Sequence, residues 1–225
     1  RGVLGTIVAE PFVITSRQNP TIKLLRALLS QRKAREREGL FAVEGTRLVC
    51  EALGAGWAAQ CVVARDPARD TEAVGRLVDA RREADCPVVL CAAEVLDSVL
   101  DVDASVDAVG LFCLPACSAE LKADGALAAF VLEDLRDPGN LGTILRTADA
   151  AGMSGVVLTG TCADPFSPKA VRSAAGALFR LPLVICPEPR GVRAALPPAR
   201  HWAACAGRGE PWDRVDARGP SALWL

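Results

Sequence analysis

Short apolar runs alternate with amphipathic stretches along most of the chain. The runs at 39–45, 60–64, 87–91 and 108–114 are continuously apolar and bounded by Gly, Pro or charged residues, the pattern of buried strands. Between them, 46–53, 72–83 and 93–100 carry apolar residues at helical spacing. Ahead of these, Ile22, Leu24, Leu25, Leu28 and Leu29 form an apolar stripe, which predicts one helix over 16–38 with Ser16 as its cap. Strands alternating with helices predict a small α/β domain over 39–114. A polar stretch at 115–125, broken by Pro115 and Gly125, reads as a linker. A second alternation follows, with strands expected at 128–132, 155–159, 181–186, 201–206 and 221–225. Helices are expected at 141–151 and 168–178, with a short one at 190–195. This is the pattern of a parallel sheet. The chain therefore reads as an N-terminal domain over 1–114, a linker, and a second α/β domain over 126–225.

Composition narrows the class. The 225 residues are 51% apolar, enough for a sizeable core. No apolar run reaches the length of a membrane span, and the first residues lack a secretory signal. Arg1 in place of Met suggests a trimmed or partial start. Nine cysteines form no CxxC pair, and His201 is the single histidine, which argues against zinc or any other metal site. They read as small buried thiols in a reducing cytosol, so a cytoplasmic protein is expected. The net charge of −1 is uninformative, but its distribution is not. Seven basic residues between 17 and 37 (Arg17, Lys23, Arg26, Arg32, Lys33, Arg35 and Arg37) face one acid, Glu36. That fits an electrostatic footprint for phosphate backbones, or alternatively a solvated helix face.

The loops after the strands at 128–132 and 155–159 carry the polar chemistry. Open α/β sheets place ligands at the carboxyl ends of their strands. In the first loop Asn140 is the candidate helix N-cap. Arg146 stands off the core stripe of Leu141, Ile144, Leu145 and Ala148, with Gly142 leaving room beside it. The second loop runs from Thr159 and Gly160 to Ser167-Pro168, a cap followed by a first-turn proline. The helix it opens gathers Lys169, Arg172 and Ser173 on one face, with Gly176 thinning that face. A capped helix with a surface arginine and a solvated basic face remain open readings. No GxGxxG, GxxxxGK[ST] or GxSxG motif is present, and His201 lies in an apolar context.

The stretch 132–152, with Asp137-Pro138-Gly139-Asn140-Leu141-Gly142 and Arg146-Thr147-Ala148, resembles the first motif of the SpoU/TrmH branch of the SPOUT RNA methyltransferases. Thr15-Ser16-Arg17-Gln18-Asn19-Pro20 and Phe41-Ala42-Val43-Glu44-Gly45-Thr46-Arg47 are similar to that family's substrate-binding extension, and 167–182 also fits. The resemblance implies a ribosomal-protein-like α/β RNA-binding domain followed by a parallel-sheet SPOUT domain. It implies 2′-O-methylation of a ribose in structured RNA, ribosomal RNA foremost, with S-adenosylmethionine as donor. By carry-over Asn140 organises the active loop and Arg146 acts on the target hydroxyl. Because a guanidinium keeps its proton, binding a neighbouring phosphate and polarising the hydroxyl suits Arg146 better than general-base work. RNA contacts are expected from Arg17, Lys23, Arg32, Lys33, Arg35, Arg37, Glu44, Arg47, Lys169, Arg172 and Ser173. Thr159 and Gly160 are the candidates for donor contact. The family holds its donor in a C-terminal trefoil knot that also builds much of its homodimer. The two knot motifs do not occur in these 225 residues, which end at Trp224-Leu225 where the first would begin. The resemblance implies a homodimer for the family, one that depends on the knot region; the alternative is a non-catalytic RNA-binding remnant or a truncated form that lacks the methyl-donor site.

Overall fold

The computed structural model describes residues 13–66, 86–100, 106–116, 120–122, 127–216 and 218–225. The helix expected at 72–83 and most of the linker lie outside them. The chain divides into two compact units, Arg1–Leu114 and Pro115–Leu225. No described helix is long and apolar enough to cross a membrane. Among the described residues no three His, Cys, Asp or Glu side chains gather as a metal site would require.

The first unit holds β1 (Val13–Ile14), α1 (Pro20–Ser30), α2 (Arg32–Glu38), β2 (Leu40–Glu44), α3 (Thr46–Gly54), β3 (Ala59–Asp66), β4 (Val88–Ala92), α4 (Ala93–Asp97) and β5 (Ala108–Cys113). Its sheet runs β1-β4-β3-β5-β2. The β5 strand is antiparallel to both neighbours, while β4 is parallel to β1 and β3. Ile22, Leu25 and Leu28 of α1 are fully buried against Val63, Val109 and Cys91 of the sheet. The segment expected as one helix over 16–38 is two helices. Asn19, not Ser16, caps the first, its side chain accepting the Thr21 N–H at 2.9 Å with Pro20 opening the turn. Gln31 is extended at φ −129°, ψ 118° and breaks the run. The break leaves carbonyls at the end of α1 without helical partners. Arg35 fills one of them, its Nη1 donating to the Leu28 carbonyl at 2.5 Å. That interaction pulls Arg35 into the interior, 5% exposed, and takes it out of the solvated face assigned to it from sequence.

The second unit holds β6 (Ala128–Glu133), α5 (Pro138–Ala150), β7 (Gly155–Thr159), α6 (Pro168–Ala174), β8 (Leu183–Cys186), α7 (Val192–Ala195), β9 (Arg200–Ala203) and β10 (Ser221–Trp224). The sheet order is β8-β7-β6-β10-β9 and every pairing is parallel. From β6 the chain steps outward through β7 to β8. It then crosses to the other side, where β10 lies between β9 and β6. The topological switch point therefore lies between β6 and β10, and a crevice is expected beyond their carboxyl ends. Val131, Val157, Val184 and Ala222 bury one sheet face against Val192 and Ala195 of α7. The helix expected over 168–178 stops at Ala174, because Ala175 turns left-handed at φ 49° and Gly176 follows at φ 92°. A single 3₁₀ turn, Ala177–Phe179, completes the segment.

On the other face α5 crosses α6 at Gly142. A Cβ there would lie 2.5 Å from the Ala170 carbonyl oxygen and 2.7 Å from the Ala174 nitrogen. The space read from sequence as room beside Arg146 is occupied by the backbone of α6. The cysteines also depart from the expectation of buried thiols: Cys86 and Cys91 are buried, whereas Cys113 and Cys205 are exposed. None of the eight described cysteines forms a disulfide.

His201 on β9 accepts the Trp224 indole N–H at 3.0 Å through Nδ1, joining neighbouring strands. Burial, with Arg193 nearby, holds the imidazole below its ordinary value of 6.5. The neutral ring is thus the folded form, and its stabilisation is complete above the unfolded value. The free energy of unfolding should fall as pH drops below about 6.5 and level off once pH passes the lower folded value. Urea titrations across that range will show the slope, and His201→Leu should remove it. A second expectation concerns the helix crossing. Gly142→Ala gains about 1 kcal/mol of helix propensity. The new methyl meets backbone that cannot rotate away, an overpacking cost of about 1–3 kcal/mol or more. Thermal unfolding should therefore show a lower midpoint for the alanine variant.

Candidate active site at the carboxyl ends of the central strands

The connection from β6 to α5 is set by Asp137. Its Oδ1 accepts the Asn140 N–H at 2.7 Å, and Pro138 opens the helix behind it. Asp137 is therefore the N-cap, and Asn140 sits within the first turn. A carboxylate three residues ahead of an N–H closes the cap, which leaves Asn140 to contribute only its backbone donor. The exposed Asn140 side chain makes no hydrogen bond with another described residue. The same carboxylate accepts from Lys169 Nζ at 3.1 Å, so one acid ties the start of α5 to α6. The Asn140 amide and the Lys169 ammonium hold the Asp137 carboxyl below the usual carboxylate range. A Cβ at Gly139 would stand 3.0 Å from Lys169 Cε, so glycine there lets the lysine lie across the helix start.

Along α5, Leu141, Leu145 and Ala148 are buried, and Ile144 is half-buried. Arg146 is exposed one turn beyond the Gly142 crossing and makes no ion pair with another described residue. Beside it, the Thr143 and Thr147 hydroxyls bond back to the Gly139 and Thr143 carbonyls, each at 2.9 Å. Arg146 thus stands as the free cation of a face otherwise satisfied within the helix.

The loop after β7 folds over the same end of the sheet. Thr159 is 1% exposed, and its Oγ1 has no hydrogen-bond partner among the described residues. Gly160 is left-handed at φ 66° and exposed. Ser167 precedes α6 as expected, but its hydroxyl donates to the Asp164 carbonyl at 2.8 Å and does not cap the helix. Lys169 and Arg172 are exposed, whereas Ser173 is half-buried with its Cβ turned to Gly142. The basic face read from sequence therefore holds Lys169 and Arg172 but not Ser173. Asp137 and Asp134 were not assigned roles from sequence. The Asp-Pro pair ahead of Asn140 was the available signal for the cap. A cavity of about 1080 Å³ on the β6–β10–β9 side is lined by Phe130, Met153, Trp202 and Leu223 and touches none of the candidate residues.

In the first unit Arg17, Lys23, Arg32, Lys33, Arg37 and Arg47 are exposed. Arg32 pairs with Glu36 at 2.8 Å, Arg37 with Glu38 at 2.8 Å and Arg47 with Glu51 at 3.2 Å. Arg17, Lys23, Arg26 and Lys33 make no ion pair with another described residue. Glu44 is 6% exposed at the end of β2, which removes it from a surface meeting RNA directly.

Known proteins share the fold of this chain. Residues 128–225 match the SpoU rRNA Methylase family, and residues 19–108 match the MRM3-like substrate binding domain. The crystal structure of an rRNA methyltransferase from Sinorhizobium meliloti superposes with a TM-score of 0.81 at 31% identity, over 95% of this chain and 80% of that one. The SpoU methyltransferase AviRb from Streptomyces viridochromogenes, solved in complex with the cofactor AdoMet, gives a TM-score of 0.83 at 27% identity, over 92% and 81% of the two chains. A 23S rRNA (guanosine(2553)-2′-O)-methyltransferase of Bacillus subtilis is 30% identical over 76% of this chain and 64% of its own length. A further relative, an uncharacterized tRNA/rRNA methyltransferase of Synechocystis, is 38% identical over 75% of this chain and 60% of its own. The chain thus spans about three-fifths of the length of these bacterial relatives and less of the mitochondrial ones it matches. With the sheet order, the Asp137-capped helix and these likenesses together, the chain belongs to the SpoU rRNA methylase family.

Proposed function

We propose that this protein methylates the 2′-hydroxyl of a ribose in ribosomal RNA, with S-adenosylmethionine as methyl donor. The observation that carries the reading is Arg146, an exposed guanidinium without an ionic partner among the described residues, on the helix that starts at the carboxyl end of β6. A phosphate next to the target ribose suits that free cation, which donates in a planar fork. Held there, Arg146 fixes the sugar and polarises its hydroxyl, and the proton passes to water as the oxygen takes the methyl group. Asn140 has a free side-chain amide in the first turn of α5, suited to orienting the same sugar. The donor, when bound, supplies a methyl group on a sulfonium, already activated for transfer, so alignment of the two reactants is the protein's main task. The residues at the end of β7 fit such a group. The Thr159 hydroxyl is buried and unpartnered, and a buried polar atom of that kind costs free energy until something binds it.

The first unit supplies RNA affinity in the same reading. Arg17, Lys23, Arg26 and Lys33 are exposed cations with no ion pair among the described residues, and each phosphate neutralised releases counterions.

Transfer of labelled methyl groups from the donor to ribosomal RNA tests the activity. Arg146→Ala should cut turnover by about a hundredfold or more, as loss of a transition-state donor does, with RNA affinity nearly unchanged. Normal turnover in that variant would refute the role. Lys23→Glu combined with Lys33→Glu should weaken RNA binding. It should also make the plot of log affinity against log salt shallower by about one to two units, at roughly 0.7–0.9 for each phosphate no longer neutralised. An unchanged slope would show that these side chains are only solvated.

A further inference from the structure

We propose that Asp134 is a positioning residue for the methyl-donor site, holding the loop after β7 in place through both its backbone and its carboxylate. The inference rests on the methyltransferase reading above. Asp134 is left-handed at φ 55°; among the described non-glycine residues only Ala175 shares that conformation. Such a backbone costs roughly 1–2 kcal/mol for an L-residue, less for Asp or Asn than for others. Strain of that kind persists where neighbouring contacts over-determine it.

The contacts are present. The Asp134 N–H donates to the Thr159 carbonyl at 3.2 Å. Its Oδ1 accepts the Thr161 N–H at 2.6 Å, a short charge-assisted bond. Between those two partners lies Gly160, left-handed at φ 66°. A Cβ on Gly160 would stand 2.5 Å from Asp134 Oδ1, so the carboxylate reaches Thr161 only across a glycine. Two left-handed residues on neighbouring strand exits thus face each other, and each fixes the other. The Ala163 N–H donates to the Leu135 carbonyl at 2.7 Å, and the Cys162 thiol to the Leu132 carbonyl at 3.3 Å. The Gly160 N–H donates to the Pro187 carbonyl at 3.0 Å, which brings in the exit of β8. The chain leaving β6, β7 and β8 is therefore laced into one rim along the carboxyl edge.

A second observation points from the rim to a ligand. Thr159 ends β7 within it, 1% exposed, with its hydroxyl unpartnered among the described residues. A turn built only to connect β7 to α6 has no use for an unsatisfied buried hydroxyl. A site for a donor with sugar hydroxyls and ring nitrogens does. If Asp134 lets go, Thr161 and Gly160 are released and the Thr159 hydroxyl is no longer held against the incoming group.

The test uses three substitutions in the full-length protein. Asp134→Asn keeps an acceptor oxygen and tolerates the left-handed backbone. Asp134→Gly keeps the backbone alone, and Asp134→Ala loses both. Hydrogen exchange at the Thr161 amide, without donor, reads the lock directly. Calorimetry with S-adenosylmethionine reads donor affinity, and turnover separates KM from kcat. The glycine and alanine variants should lose protection at Thr161 and raise the donor Kd and KM by about tenfold or more. Turnover at saturating donor and RNA affinity should change little, and asparagine should restore most of the loss. Unchanged donor affinity in the glycine and alanine variants, with only a lower unfolding temperature, would overturn the proposal. A wild-type protein that binds no donor would instead overturn the methyltransferase reading, and this inference with it.

Discussion

The second unit is organised by one close approach, the backbone of α6 against Gly142 of α5. With no side chain at that position, α5 and α6 touch main chain to main chain, and the geometry of both helix starts follows. Lys169 comes to lie across Gly139, and its ammonium reaches the carboxylate that caps α5. That carboxylate therefore meets two tasks with one group: it satisfies the Asn140 amide and it anchors the neighbouring helix. Core packing of Leu141, Leu145 and Ala148 fixes the rotation of α5 about its axis, which leaves Arg146 on the solvent side. The position of the free guanidinium is thus decided by apolar burial and a missing methyl group, not by any interaction of its own.

Charge in the first unit sorts by burial in a way that alters the RNA footprint. Arg35 and Arg65 lie in the interior at 5% and 1% exposure. Arg65 holds Asp97 through two nitrogens and the Val106 carbonyl at 3.1 Å, with Asp107 close by. A buried guanidinium stripped of its partners costs several kcal/mol, so these side chains are committed to the fold. Arg32 and Arg37 are also paired, but on the surface, where such a pair is worth about 0–1 kcal/mol. A phosphate can displace Glu36 or Glu38 at little cost. In the proposed RNA-binding role the available positive surface is therefore the unpaired cations plus these two, and Arg35 does not belong to it.

Most strands of both sheets were legible because continuous apolar runs between turn residues have few other places to go. The parallel sheet of the second unit followed from alternation alone. Local competition between groups was not legible. The stretch 16–38 has one helical stripe, and nothing in its spacing reveals that Gln31 will be extended, since that depends on Arg35 closing the end of α1. Asn140 has good capping chemistry, but Asp137, three residues earlier, holds a stronger acceptor and was overlooked. The end of α6 was misplaced because Ala175 turns left-handed, which its residue type does not announce. The exposure of Arg146 and Lys169 was legible, because each stands off the apolar stripe of its helix. Ser173 is half-buried against Gly142 and Glu44 is buried at the end of β2, and residue type reveals neither.

Asp134 and Gly160 lie on successive strand exits, and each read alone is an ordinary turn residue. What joins them is the parallel sheet. Parallel pairing of β6 with β7 sets Glu133 beside Thr159, so the residues that follow each strand emerge side by side on the same edge. The next residue on each strand must turn at once, and both turn left-handed. An isolated left-handed aspartate would relax toward the ordinary basin. Here relaxation would break the Thr159 and Thr161 hydrogen bonds together, at about 1 kcal/mol for the neutral bond and more for the charged one. That sum exceeds the strain it offsets, so the conformation holds without any bound ligand. The rim is therefore shaped without a ligand, and a donor bound at the proposed site need not be charged with the entropy of ordering it.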